Sequence, residues 1–248
     1  MSTSIGGVSL TPQTPRVIVP IMGVDLAAIR REATAIAATD ADLVEWRADR
    51  FQNLTSVDAV HEATALIKQI VRRPIIATVR TVGEGGFFEG DADAYAAATE
   101  VVSDQVDAVD VELRRPGAAA LIEALSARGH PVIASRHVVR STPDEAMMIE
   151  LLERAEATPA AIGKLAVRAT NPADAAALLH ATAVYTARAT KPVITMAMGD
   201  HGVITRLIGQ LFGSCATFAT VVEASAPGQP SLAELRRFWA DLPEHPRD

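Results

Sequence analysis

The chain has 248 residues, 49% of them hydrophobic, 21% charged and 4% aromatic, with a net charge of −7. That apolar fraction supplies a sizeable core and excludes a disordered chain, and the negative charge argues against nucleic acid or an anionic membrane surface as a partner. No apolar run approaches the ~18–20 residues that span a bilayer, Met1–Thr14 shows no charged-then-apolar leader pattern, and the one cysteine, Cys215, permits no internal disulfide, so a cytoplasmic protein is expected.

Residues 1–15 are too short for a further unit, but Val8–Leu10 reads as a small strand, part of an N-terminal hairpin closing the bottom of the fold. Val17–Ile21 is the first of eight runs rich in β-branched and apolar residues. Asp25–Ala38 follows, with Leu26, Ile29, Ala33 and Ile36 spaced to share one helical stripe. Leu43–Arg47 is the second strand, and Val57–Val71 the next helix. Ile75–Arg80 opens after Arg73-Pro74, a proline position that costs no ladder donor inside a strand. Ala108–Leu113 and the helix Ala118–Ala127 come next. Val132–His137 precedes the helix Asp144–Ala157, with Thr142-Pro143 as its predicted start. Lys164–Arg168 is followed by the helix Pro172–Ala189, which Asn171 can cap. Val193–Met198 and Thr217–Val222 complete the set, and residues 243–248 form a polar tail.

Strand starts recur every ~24–33 residues, the length of a strand plus a helix, which predicts a parallel sheet. Eight such units in one domain of residues 1–248 are the size of a closed (β/α)8 TIM barrel. An open doubly wound sheet is the alternative, but the first turn, Pro20-Ile21-Met22-Gly23-Val24, lacks its glycine-rich phosphate fingerprint.

A barrel of this kind carries its active site at the carboxyl ends of its strands, and polar residues gather there. Glu45 and Arg47 lie two apart, as do Asp110 and Glu112, so each pair shares a face. Apolar Val44, Trp46, Val109 and Val111 suit the helix-facing side, which turns the charges toward the barrel axis. Such a pair is either functional or a structural ion pair lining the barrel.

Only three of the 23 basic residues are Lys. Lys68 and Lys191 read as surface residues. Lys164 sits in Ala161-Ile162-Gly163-Lys164-Leu165-Ala166-Val167, where burial among apolar neighbours disfavours the charged amine. A neutral amine attacks carbonyls and forms an iminium; the other reading is a strand-end lysine that snorkels to water. His137 ends the neighbouring strand and suits proton transfer near neutral pH, with His201 in a later loop as the other histidine to consider. Arg47, Arg80 and Arg206 form a cationic bowl suited to a small anion. No His or Cys pair stands at metal-ligand spacing.

These residues resemble type I 3-dehydroquinate dehydratases over nearly the whole chain. The resemblance rests on Glu45-Trp46-Arg47-Ala48-Asp49, on Arg80-Thr81 with Glu84-Gly85-Gly86, on Ser135-Arg136-His137 and on Gly163-Lys164-Leu165-Ala166. It continues through Met196-Ala197-Met198-Gly199, Thr205-Arg206, Gly213–Phe218 and Ser225-Ala226-Pro227-Gly228-Gln229. It implies a (β/α)8 lyase of the shikimate pathway, a homodimer without cofactor or metal, acting on the small molecule 3-dehydroquinate. By the same resemblance Lys164 is the Schiff-base lysine, His137 the proton-transfer histidine and Glu84 its carboxylate partner. Glu45, Arg47, Arg80, Arg206, Ser225 and Gln229 are implied to bind substrate, with Met196, Phe218 and Ala226 as apolar walls. The chain departs from the family pattern at Arg136, where an aromatic residue is usual, at Val138-Val139, and at Thr205, where Ser is usual. The rivals are a class I aldolase, which shares the lysine but cleaves C–C bonds, and a non-catalytic metabolite-binding barrel.

Overall fold

A computed structural model describes residues 2–242; the tail at 243–248 lies outside them. An antiparallel hairpin of β1 (Thr3–Ile5) and β2 (Val8–Leu10) precedes eight parallel strands. These are β3 (Arg16–Ile21), β4 (Leu43–Arg47), β5 (Ile75–Thr78), β6 (Ala108–Glu112), β7 (Val132–Val138), β8 (Ile162–Arg168), β9 (Val193–Met198) and β10 (Ala216–Phe218). Their order in the sheet is β10-β3-β4-β5-β6-β7-β8-β9. The ring closes where Cys215 N donates to Val193 O at 2.8 Å. The helices α1 (Leu26–Ala37), α2 (Val57–Val71), α3 (Ala92–Ser103), α4 (Ala118–Ala127), α5 (Glu145–Glu156), α6 (Pro172–Thr186), α7 (Val203–Ile208) and α8 (Leu232–Ala240) follow the strands in turn. The fold is the (β/α)8 barrel that the alternation predicts.

Strand alternation sorts the side chains. Val44, Trp46, Ala77, Val109 and Val111 face outward and pack with Ile29, Val60, Ile67, Leu121 and Leu125 of the helices. Inside, Ile18, Leu43, Ile76, Ala108, Ile133, Ile162 and Ile194 fill the floor of the barrel. Ile5 and Leu10 of the hairpin join that layer, fully buried, so the hairpin seals the amino end as expected. Above the apolar floor the inward residues turn polar, and this change of layer positions the site.

Helix ends follow local chemistry. Asp25, Ser56, Asp91, Asp144 and Asn171 each cap a helix by accepting a backbone N–H three residues on. Asn171 precedes Pro172 at the first turn of α6, as predicted. α5 departs from its predicted start: Asp144, not Thr142, is the cap, because its carboxylate accepts from Met147 N at 2.8 Å. α3 escapes the apolar-stripe pattern, since its buried face mixes Tyr95 and Val102 with Thr99 and Ser103. β10 is shorter than the expected Thr217–Val222 run: it ends at Phe218, and Thr220 bridges to Ser231 instead. β8 begins at Ile162, two residues earlier than expected, which places Lys164 inside the barrel rather than at the strand's start. No helix among the described residues is long and apolar enough to cross a membrane.

Candidate active site

The carboxyl ends of the strands surround a cavity of about 210 Å³. Glu45 and Arg47 of β4, His137 of β7, Lys164, Ala166 and Arg168 of β8, Met196 and Met198 of β9 and Phe218 of β10 line it. Arg80, Glu84, Arg206, Ser225 and Ala226 reach it from loops and from α7. His201 is exposed in a short helical turn after β9 and does not line the cavity.

Lys164 is 5% exposed. Its Nζ lies 3.0 Å from Asp110 Oδ2 and 3.5 Å from Glu45 Oε1, and 4.5 Å from the centre of the Phe218 ring. The amine is buried, as the apolar flanks predict, and Ala166 of those flanks lines the cavity beside it. Parallel pairing also brings to it the carboxylates of β4 and β6 that strand alternation turned toward the barrel axis, so the amine is ion-paired as well as buried. Burial works to raise the Asp110 carboxyl, but Arg80, Lys164 and His137 outweigh it and hold the group well below the usual carboxylate range.

Asp110 anchors a larger network. Arg80 Nη2 donates to Asp110 Oδ1 at 2.7 Å, and its Nη1 donates to Glu112 Oε1 at 3.0 Å and Ser135 Oγ at 3.1 Å. Thr81 binds Glu112 through both its N–H and its hydroxyl. Arg47 makes a bidentate pair with Asp49, at 2.9 and 2.8 Å. The cationic bowl is therefore largely neutralised. Arg206 differs: it is 1% exposed, its Nε has no partner, and its one polar contact is from Nη1 to the Met196 sulfur at 3.3 Å. Burial alone lowers it to about 10. Among the described residues, neither Arg206 nor Arg168 has a carboxylate within ion-pair distance, so two of the cavity's guanidinium groups await an anion.

The dyad forms at the mouth. After β5 the chain makes a short helical turn at Val82–Glu84 and folds back, with Gly86 N donating to Thr81 O at 2.8 Å. A Cβ at Gly86 would lie 2.1 Å from Arg80 O, so only glycine permits this return. It delivers a buried Glu84 carboxylate to β7. Glu84 Oε2 accepts from His137 N at 2.8 Å and lies 2.9 Å from His137 Nδ1. That contact puts the ring hydrogen on Nδ1 and leaves Nε2 as the free acceptor. Burial first, then the charges of Arg80 and Lys164, hold the imidazole well below its ordinary value, with Asp110 opposing them. His137 is thus neutral at pH 7 and able to accept a proton. Glu84 is raised by its own burial, with Arg80 and Arg136 working against that rise.

Two further segments frame the cavity. Thr205 Oγ1 accepts from Ala197 N at 2.8 Å and donates to Gly202 O at 2.6 Å, tying α7 to β9 and fixing Arg206. The loop after β10 brings in Ser225 and Ala226. Its Gly228 has φ +75, and a Cβ there would meet Gly199 O at 2.4 Å, while Gly199 N donates to Pro227 O at 3.1 Å. Gln229 does not line the cavity: its side chain braces the loop, accepting from Ser225 N and donating to Ala219 O, both at 2.9 Å.

The model of type I 3-dehydroquinases matches residues 17–242. The chain belongs to that family. It is 36% identical over 242 residues to a 3-dehydroquinate dehydratase of Bacillus licheniformis, spanning 94% of each chain. A family member from Geobacillus kaustophilus superposes with a TM-score of 0.94 at 30% identity, covering 100% of this chain and 98% of that one. A type I 3-dehydroquinate dehydratase from Clostridium difficile, solved with covalent modified comenic acid, gives a TM-score of 0.90 at 31% identity over 97% and 96% of the two chains.

Within this 3-dehydroquinase fold, four participants were assigned no role by the motif reading: Asp110, Ser135, Arg136 and Arg168. Alternation along β6 already turned Asp110 inward, so a signal existed for it. Arg168, on the same inward face of β8 as Lys164 and Ala166, carried the same signal. Arg136 stood out only as a departure from the family pattern beside the histidine; alternation points it outward, yet its guanidinium reaches Glu84.

Proposed function

We propose that this chain dehydrates 3-dehydroquinate to 3-dehydroshikimate through a Schiff base on Lys164, as a step of the shikimate pathway in the cytoplasm. Family membership supports the reaction. The observation that carries the mechanism is that Lys164 and a neutral His137 open on one cavity, on adjacent strands, beside a buried Arg206 that lacks an anionic partner.

The substrate carboxylate binds Arg206, a charge-assisted contact that relieves an unpaired buried cation. Glu45, Arg47 and Arg80 meet the ring hydroxyls, and Met196, Phe218 and Ala226 pack its apolar surface. Lys164 adds to the ring ketone, two protons of its ammonium group leave with the ketone oxygen as water, and the protonated imine, an iminium, forms. The iminium draws electrons and acidifies the adjacent C2–H. His137 Nε2 takes that proton, producing an enamine. The enamine electrons then form the C1–C2 double bond as the C1–oxygen bond breaks, and His137 returns the proton to the departing hydroxyl, which leaves as water. Water hydrolyses the imine, freeing product and Lys164. Glu84 orients the imidazole throughout, and proton transfer of this kind contributes ~10²–10⁴-fold in rate. The Ser225–Gln229 loop excludes bulk water that would hydrolyse the imine early. The covalent modified comenic acid of the Clostridium difficile relative is consistent with a nucleophile in such a site.

Borohydride reduction in the presence of 3-dehydroquinate tests the reading. The expected result is covalent mass at Lys164 in an enzyme that, without borohydride, produces dehydroshikimate absorbance. Trapping with an aldol donor but no dehydration would make the chain an aldolase, and no adduct at all would make it a binding barrel. The homodimer implied by the family resemblance is checked by light scattering.

A further inference from the structure

Arg136 sits on β7 between Ser135 and His137, which both face the barrel interior. Its guanidinium nonetheless closes on the dyad. Nη1 donates to Glu84 Oε1 at 2.5 Å and to the carbonyl of His137 at 2.6 Å. The other Glu84 oxygen takes the N–H and faces the Nδ1 of His137. One carboxylate is thereby shared between the permanent guanidinium of Arg136 on one oxygen and the imidazole on the other, with Arg80 Nη1 at 3.8 Å from the imidazole's oxygen. The side chains of Glu84 and His137 are 2% and 11% exposed, and that of Arg136 is 19% exposed, so solvent screens this contact only in part.

We propose that Arg136 is a positioning residue which divides the Glu84 carboxylate between itself and His137, so that the imidazole releases its proton more readily in the second half of the dehydration. The proposal rests on the activity proposed above. When His137 takes the C2 proton, the imidazolium needs Glu84 as its counter-charge. With Arg136 on the other oxygen, that counter-charge is already partly matched, and the imidazolium is held less tightly. The histidine becomes a weaker base toward C2 and a stronger acid toward the C1 hydroxyl, whose departure as water requires the same proton. A neutral aromatic side chain at this position leaves Glu84 to the imidazole and to Arg80, whose Nη1 lies 3.8 Å from Oε2.

Other charges also face His137 and set the background against which Arg136 acts. Glu45 and Arg47 come from β4, Arg80 from the loop just after β5, Asp110 from β6, Lys164 and Arg168 from β8, and Arg206 from α7. Of these, Arg80, Lys164 and Arg47 drive the proton off while Asp110 retains it. Only Arg136 acts through Glu84 without lining the cavity, so its removal changes the dyad and leaves the substrate contacts in place.

The test compares Arg136→Met and Arg136→Lys with the unaltered protein. Removing a cation strengthens proton binding by both Glu84 and His137, so the pair titrates higher as a unit. The acid limb of kcat/KM is expected to move up by about one pH unit in the Met variant and to return most of the way in the Lys variant, which keeps the charge. The primary isotope effect with C2-deuterated substrate is expected to fall in the Met variant, because proton return becomes the slower half. A Met variant that loses activity with its acid limb unmoved, or a Lys variant displaced as far as the Met one, overturns the proposal. The same displacement, followed in the His137 ring resonance by NMR without substrate, separates failure of this inference from failure of the proposed activity.

Discussion

Lys164 Nζ lies 3.0 Å from Asp110 Oδ2 near the centre of the barrel, with Arg80 on the other oxygen of the same carboxylate. One aspartate therefore holds both the candidate nucleophile and the cation that tethers Glu112. Replacing it by alanine leaves two buried cations short of a counter-charge. Asp110→Ala is expected to destabilise the fold by about 3–5 kcal/mol, read as a lower urea midpoint, whereas Asp110→Asn keeps the shape and costs less. Equal stability of Asp110→Ala and the unaltered protein would show that the network is structurally idle.

Lys164 and His137 separate the covalent and proton-transfer steps. Lys164→Ala is expected to abolish turnover and borohydride trapping while leaving the barrel folded, since Asp110 keeps Arg80 and Ser135 as partners. His137→Ala is expected to form the adduct but to turn over ~10²–10⁴-fold more slowly. Normal turnover in His137→Ala would hand the base role to another group, and His201 is exposed and away from the cavity.

Arg206 is predicted to trade stability for binding. Its buried guanidinium has no carboxylate within reach in the free protein, so Arg206→Met is expected to stabilise the fold by about 1–3 kcal/mol. The same change removes the partner of the substrate carboxylate and is expected to raise KM roughly tenfold to a hundredfold, the worth of a charge-assisted hydrogen bond. Thermal denaturation and Michaelis kinetics on one variant check both signs; a less stable Met variant with unchanged KM contradicts the assignment.

The pH dependence follows from two depressed groups. His137 must be neutral to act as base, and its folded value lies well below 6.5, so kcat/KM is expected to persist below pH 6.5 and to fall only as the pH drops through that depressed value. Stability has the same sign. Asp110 and His137 both release protons more readily when folded than when unfolded, so each contributes fully above its unfolded value and less as the pH falls toward its folded one. Acidification from pH 7.5 to 5.5 therefore destabilises the unaltered protein more than His137→Ala, which lacks the imidazole's share of the effect. Parallel urea midpoints across that range, identical in slope for both proteins, would count against a buried neutral histidine.

The barrel was legible in the sequence because its causes are local. Apolar alternation marked β4 and β6, helical stripes marked α1 and α2, and Asn171-Pro172 marked the start of α6, so strand-plus-helix spacing led to eight parallel units. Motif order likewise located Lys164, His137, Glu84 and Arg206 at strand ends and in the turns beside them. What chain-local patterns could not carry was which charge meets which. Register across the parallel sheet brought Asp110 and Glu45, which alternation had only turned inward, within ion-pair distance of Lys164. It also neutralised Arg47 and Arg80 while leaving Arg206 without an anion. Side-chain reach around a strand end joined Arg136 to Glu84, against the direction that alternation assigns it. Secondary structure answers to neighbours along the chain, but Coulomb energy and desolvation depend on distances through space, and those distances were decided only when the ring of strands closed.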